Sequence, residues 1–199
     1  VGLMERAGQP GREPLRAGDA VIVTGGARCV PAACALALAE AFKPRLVLVG
    51  RSPVPGVEAS EYAAARTEAE LRSAVAKTEK SLTPKAIGEK AKDILAAREI
   101  IETLARLTAA GAEVRYRAVD ARQPAAVAAL VAETVRDFGP IRGLVHGAGV
   151  LADKAILDKT TAQLDAVLDT KLTGLRNFLD GQEMSRQTPL QNRPAQVHP

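Results

Sequence analysis

Aromatic residues are scarce in this 199-residue sequence, at 3% with no tryptophan. Proteins that grip single-stranded nucleic acid stack bases on aromatic side chains, and this chain has almost nothing to stack them on. A formal charge of +4 and a pI near 9.3 suit a polyanion, but the basic residues are spread along the chain and interleaved with acids, so no nucleic-acid partner is expected. Cysteine and histidine number two each. Cys29 and Cys34 lie close together with no histidine nearby, which gives neither a disulfide framework nor a zinc-ligand pattern. Both are expected to be small buried residues. No run of about 18 apolar residues exists to span a membrane, and the opening VGLMERAGQPGREPLRAGD is polar where a secretory signal is apolar. A cytoplasmic protein with no membrane partner is the expectation.

What is present is a chain with 47% hydrophobic and 25% charged residues, ample for a real core. Residues 1–18 lack apolar periodicity and read as a linker or arm. AVIVT at 20–24 is a short β-branched run ending in Gly25-Gly26, the pattern of a buried parallel strand entering a tight turn. A helix follows over 32–42, then a second strand over 46–49 ending at Gly50. A segment rich in Ala, Glu, Lys and Arg, about 53–110, reads as a helical insertion. Thr83-Pro84 caps a helix there, and Ile87, Ala91, Ile94, Leu95, Ile101, Leu104 and Leu107 recur at helical spacing until Gly111. A third strand (113–119), a helix opened by Pro124, and a fourth strand (141–145) follow. The last helix, about 161–179, is expected to carry Leu164, Val167, Leu168, Leu172, Leu175 and Phe178 inward, ahead of a disordered tail over 181–199.

Strands alternating with helices give an α/β, Rossmann-like doubly wound parallel sheet of order 3-2-1-4, with residues 19–180 as its domain. Ligands in such sheets sit at the carboxyl ends of the strands where the order reverses. Thr24, Gly25, Gly26, Ala27 and Arg28 form a turn that lets backbone amides approach a pyrophosphate, although a glycine turn alone also fits a ligand-free strand-to-helix junction. Arg51 and Ser52, just after strand 2, stand where an adenosine ribose would lie. A basic residue there suits a 2′-phosphate, hence NADPH, while taken singly Arg51 equally reads as a solvated surface side chain. Asp120 after strand 3, and His146, Gly147, Ala148 and Gly149 after strand 4, complete the constellation. His146 reads as a packed or capping histidine rather than a catalytic base.

VTGGAR, GRSP, the long TPKAIGEKAKDILAAREIIETLARLTAAGAEVRYRAVDAR, GPIRGLVHGAGVLADKAILDKT and DTKLTGLRNF together resemble the ketoreductase domains of type I polyketide and polyunsaturated fatty acid synthases, members of the short-chain dehydrogenase/reductase superfamily. The resemblance runs from about Val21 to Leu179, and the insertion is more similar to the polyunsaturated fatty acid type. It implies reduction of a 3-ketoacyl chain on an acyl carrier protein to the 3-hydroxyacyl form by hydride from NADPH, within a multidomain synthase. It also implies a catalytic role for Lys171, lowering a tyrosine's pKa and holding a ribose hydroxyl. Outside that motif, a lysine here reads as snorkelling from its helix.

The sequence departs from this family's pattern in three places. Cys29 stands where a glycine is usual, Pro31 where threonine is common, and no apolar strand, serine pair and tyrosine follow Lys171. The later strands are thus expected to be missing, leaving strand 4 as an edge and the last helix uncovered, which favours homodimerisation and little turnover by this chain alone. The alternative is a noncatalytic Rossmann-like interaction module.

Overall fold

The computed structural model describes residues 15–187. Four strands, β1 (Ala20–Thr24), β2 (Arg45–Gly50), β3 (Glu113–Ala118) and β4 (Ile141–His146), form one sheet in the order β3-β2-β1-β4. All three pairings are parallel, with Val23 beside both Leu48 and Val145. The expected doubly wound order is therefore the observed one. Parallel strands need a crossover between them, and helices on both faces supply it.

Alternation along the strands builds two cores. Ala20, Ile22, Val47 and Val49 point to one face, where Val127, Leu130 and Val131 of α4 (Pro124–Phe138) and Phe178 of α6 (Gly174–Gln187) cover them. Val21, Val23, Leu46 and Leu48 point to the other, against Ala35 and Ala39 of α1 (Cys29–Phe42) and Ile100 and Leu107 of α3 (Pro84–Ala109). Leu15 packs on this second core, so contact with the sheet begins before residue 19, where an arm was expected; residues 1–14 lie outside the described ones.

The helical insertion holds two helices. α2 (Glu68–Thr78) starts at a reciprocal cap, in which the Thr67 hydroxyl accepts from the Glu70 amide and the Glu70 carboxylate accepts from the Thr67 amide. α3 starts at Thr83, whose hydroxyl accepts from Ala86, with Pro84 in its first turn. Tyr62, Leu71, Val75 and Ala91 form a separate small core between them. Arg98 of α3 clasps the insertion's leading loop through Glu58 and the carbonyls of Tyr62 and Ala65. Ile101, expected on the packed face, is exposed, and Ile100 is buried in its place.

Three further expectations are corrected. Cys29 and Cys34 are exposed, because they sit on the solvent side of α1 while Ala35 and Ala39 meet the sheet. The last helical stretch, α5 (Thr161–Leu168), a π-turn over Asp169–Thr173 and α6, buries Thr170 and Phe178 but leaves Leu164, Leu168 and Leu172 exposed. No described element packs over those leucines. The stretch also runs on as helix through residue 187, since Gly181 lets α6 lie close against Val131 of α4, where a disordered tail was expected from 181; residues 188–199 lie outside the described ones.

Candidate functional site

Each strand of the sheet ends at the same edge, and the turns that leave β1, β2, β3 and β4 meet there around a cleft of about 540 Å³. Gly25 turns the chain out of β1 at φ +72°, donating its amide to the Val49 carbonyl at 2.6 Å. A side chain at Gly25 would sit 3.1 Å from the Gly147 backbone. At Gly147 an added Cβ would lie 2.5 Å from Pro31 Cγ, so the β1 and β4 turns close on each other backbone to backbone.

Of the residues singled out from the sequence, Thr24, Gly25, Ala27, Arg28, Arg51, Ser52, Asp120, Gly147, Ala148 and Gly149 line this cleft. Gly26 does not: it packs beneath the turn, where a Cβ would lie 2.6 Å from Val23 Cγ1. Lys171 does not line the cleft; on the π-turn it lies beside the rim residue Gly149, its Nζ 3.3 Å from where a Cβ on Gly149 would stand. π-turns inside α-helices recur at functional sites because they displace side chains and free a carbonyl.

His146 bonds to a carbonyl of this π-turn. Its Nε2 lies 3.2 Å from Thr170 O, an atom that only accepts, so Nε2 carries the proton and Nδ1 accepts from the Thr24 hydroxyl at 2.9 Å. The Thr24 oxygen accepts in turn from the Ala148 amide at 3.1 Å. This chain of bonds ties the β1 turn, the β4 turn and the segment carrying Lys171 into one unit. Burial holds the His146 imidazole below its ordinary pKa, against the opposing pull of the Thr170 carbonyl. Bonded through both ring nitrogens, the imidazole is held in place between the β1 turn and the π-turn.

Two of the charged members, Asp120 and Arg28, are each paired. Asp120 is held by Arg122, 2.6 Å away, and that hydrogen bond keeps its carboxyl below the usual carboxylate range. Arg28 donates to Glu99 of α3 at 2.7 Å. Arg51 is exposed and makes no ion pair or hydrogen bond among the described residues, although Asp120 feels its charge. Tyr116 of β3, which the sequence did not single out, donates from its hydroxyl to the Ser52 carbonyl at 2.8 Å and lies over Gly50. Burial raises its pKa. Asp93, which lines the cleft, and Glu99, which bonds the β1 turn, were likewise missed, since an acid on an amphipathic helix carries no signal of a contact so distant in sequence.

Cys29 takes φ +53°, the left-handed region that non-glycine residues seldom adopt. The departure from glycine noted in the sequence is therefore a conformational one. Among the described residues no group of three or more His, Cys, Asp or Glu side chains is placed to hold a metal, and no helix is long and apolar enough to cross a membrane.

The sequence matches the family model described as "KR domain" over residues 19–190. It is similar to a polyunsaturated fatty acid synthase polypeptide of Thraustochytrium sp., at 30% identity over 184 residues, which are 87% of this chain and 6% of that protein. The chain thus spans a small fraction of the length of that curated relative. Among solved structures, an N-terminal ketoreductase from the macrolactin assembly line is similar with a TM-score of 0.60 and 24% identity, over 85% of this chain and 26% of that one. A short-chain dehydrogenase from Mycobacterium paratuberculosis bound to NAD gives a TM-score of 0.57 at 21% identity, over 84% of this chain and 50% of that one. At these identities the structural likeness establishes the fold.

Proposed function

The chain belongs to the KR domain family, and on that premise we propose that it binds NADPH for a ketoreductase reaction on 3-ketoacyl chains carried by an acyl carrier protein. The observation that carries this reading is the cleft itself: a glycine-floored turn at the end of β1, bare backbone at Gly147 and Gly149, and an unpaired Arg51 at the end of β2. These features fit a dinucleotide. Glycine offers no Cβ to keep phosphates away from backbone amides, and a free arginine at the end of β2 suits a 2′-phosphate better than a bare ribose.

When bound, the reduced nicotinamide supplies a hydride to the carbonyl carbon. The chain's own residues then have three tasks. The β1 turn and Arg28 hold phosphate, Arg51 selects the 2′-phosphate, and Lys171 holds a ribose hydroxyl and lowers the pKa of the tyrosine that protonates the alkoxide. No tyrosine among the described residues is placed for that step: Tyr62 donates to Glu79 in the insertion, and Tyr116 donates to Ser52 by the far edge strand. Without a tyrosine so placed, the described residues alone are expected to turn over slowly or not at all. The carrier-bound substrate and the other synthase domains are the partners this reading implies.

Calorimetric titration with NADPH and NADH, on the wild type and on Arg51→Glu, tests the reading. Saturable binding that prefers NADPH is expected, with NADPH affinity reduced about tenfold or more in the variant through the lost charge-assisted bonds. A folded chain that binds neither cofactor would instead be a noncatalytic module that has kept the sheet.

A further inference from the structure

Helix α1 begins without the usual provision for its exposed amides. Its N-cap is Arg28, which has no acceptor to offer, and its first turn holds no acid. The Cys29 amide donates instead to Glu99 Oε1 at 2.8 Å, while Arg28 Nε donates to Glu99 Oε2 at 2.7 Å. One carboxylate from the insertion helix thus takes both the backbone donor and the cation that this turn presents. To those two groups a carboxylate and a phosphate oxygen are the same kind of partner, an anionic acceptor at the positive end of a helix.

We propose that Glu99 is a resident competing anion, a latch from the insertion that sits in the phosphate turn and is displaced when a dinucleotide docks. The proposal rests on the dinucleotide reading of the cleft and adds a residue that sets its affinity. Three features favour a displaceable latch over a purely structural cap. α3 is anchored without Glu99, because Ile100 and Leu107 are buried in the core shared with the sheet. The pair is accessible, with the Arg28 and Glu99 side chains 45% and 37% exposed, so exchanging one anion for another requires no repacking. Arg51, on the other side of the same cleft, makes no ion pair or hydrogen bond among the described residues, so the competing contact is confined to the turn.

The test is calorimetric titration of the full chain with NADPH, and separately with inorganic pyrophosphate, comparing wild type with Glu99→Gln and Glu99→Ala. Thermal melts by circular dichroism establish that each variant is folded, and the near-isosteric glutamine carries the test should the alanine variant not fold. Removing the competing charge is expected to tighten both ligands about tenfold, the scale of one charge-assisted hydrogen bond. Hydrogen exchange in the unliganded variants should be faster at the amides of residues 28–30 and return to slow exchange on adding NADPH. Folded variants that bind NADPH no more tightly than wild type, or more weakly, would make Glu99 a positioning residue for Arg28 and overturn the latch while leaving the dinucleotide reading intact. Absence of binding by wild type and variants alike would remove both.

Discussion

Cys29 offers the sharpest test of the turn's backbone. At φ +53° its Cβ crowds the neighbouring peptide, a cost of about 1–2 kcal/mol for an L-residue in the left-handed region. Cys29→Gly relieves that cost but loosens the unfolded chain, which returns about 0.5–1 kcal/mol. Because the side chain is exposed, no burial is lost. The net expectation is stabilisation by about 0.5–1 kcal/mol, raising the melting temperature by roughly 1–4 °C for a chain of this size. Cys34 provides the internal control, since it is exposed too but lies within α1, where Cys34→Gly should cost a few tenths of a kcal/mol, about the gap in helix propensity. Melting both variants under reducing conditions compares the two signs directly. Equal destabilisation by the two substitutions would refute the argument that residue 29 is conformationally strained.

Other outcomes follow from the same geometry. Gly147→Ala places a methyl 2.5 Å from the rigid Pro31 ring and 2.9 Å from the Thr24 carbonyl, so it should cost about 1–3 kcal/mol in chemical denaturation and weaken NADPH binding. Phe178→Ala empties the fully buried site between α6, α4 and the sheet and should cost about 3–5 kcal/mol, lowering the melting temperature by roughly 10 °C. His146 has a folded pKa below its ordinary value, so the unfolded state binds the proton more readily. Its contribution is therefore complete above about pH 6.5 and is lost as pH falls through that value toward the folded pKa. Urea midpoints should drop from pH 7.5 to 5.5 in the wild type, and the drop should shrink in His146→Asn.

Much of the architecture is legible in the sequence because its signals are local. AVIVT and RLVLVG are continuous apolar runs closed by a glycine or a turn, and Pro124 and Thr83-Pro84 mark helix starts that occur where they stand. The cleft residues are legible for the same reason: strand ends at one edge of a parallel sheet must converge. What is not legible depends on distant partners. Leu164, Leu168 and Leu172 repeat at helical spacing, yet spacing cannot tell which face has a neighbour, and here the packed face is that of Thr170, Gly174 and Phe178. The helical 181–187 segment looked too polar to be ordered, but Gly181 docks it on α4. Glu99 and Tyr116 join the site only through tertiary contacts, and the left-handed φ of Cys29 is visible in sequence solely as a residue type out of place.

On the proposed function, this cleft holds NADPH by the turns leaving β1, β2 and β4. Amide chemical-shift mapping during titration of the labelled chain with NADPH tests it most directly. Saturable shifts are expected, concentrated at residues 24–29, at Arg51 and Ser52, and at 147–149, with α2 unaffected. Shifts confined to the insertion, or none at millimolar NADPH in a folded chain, would contradict it.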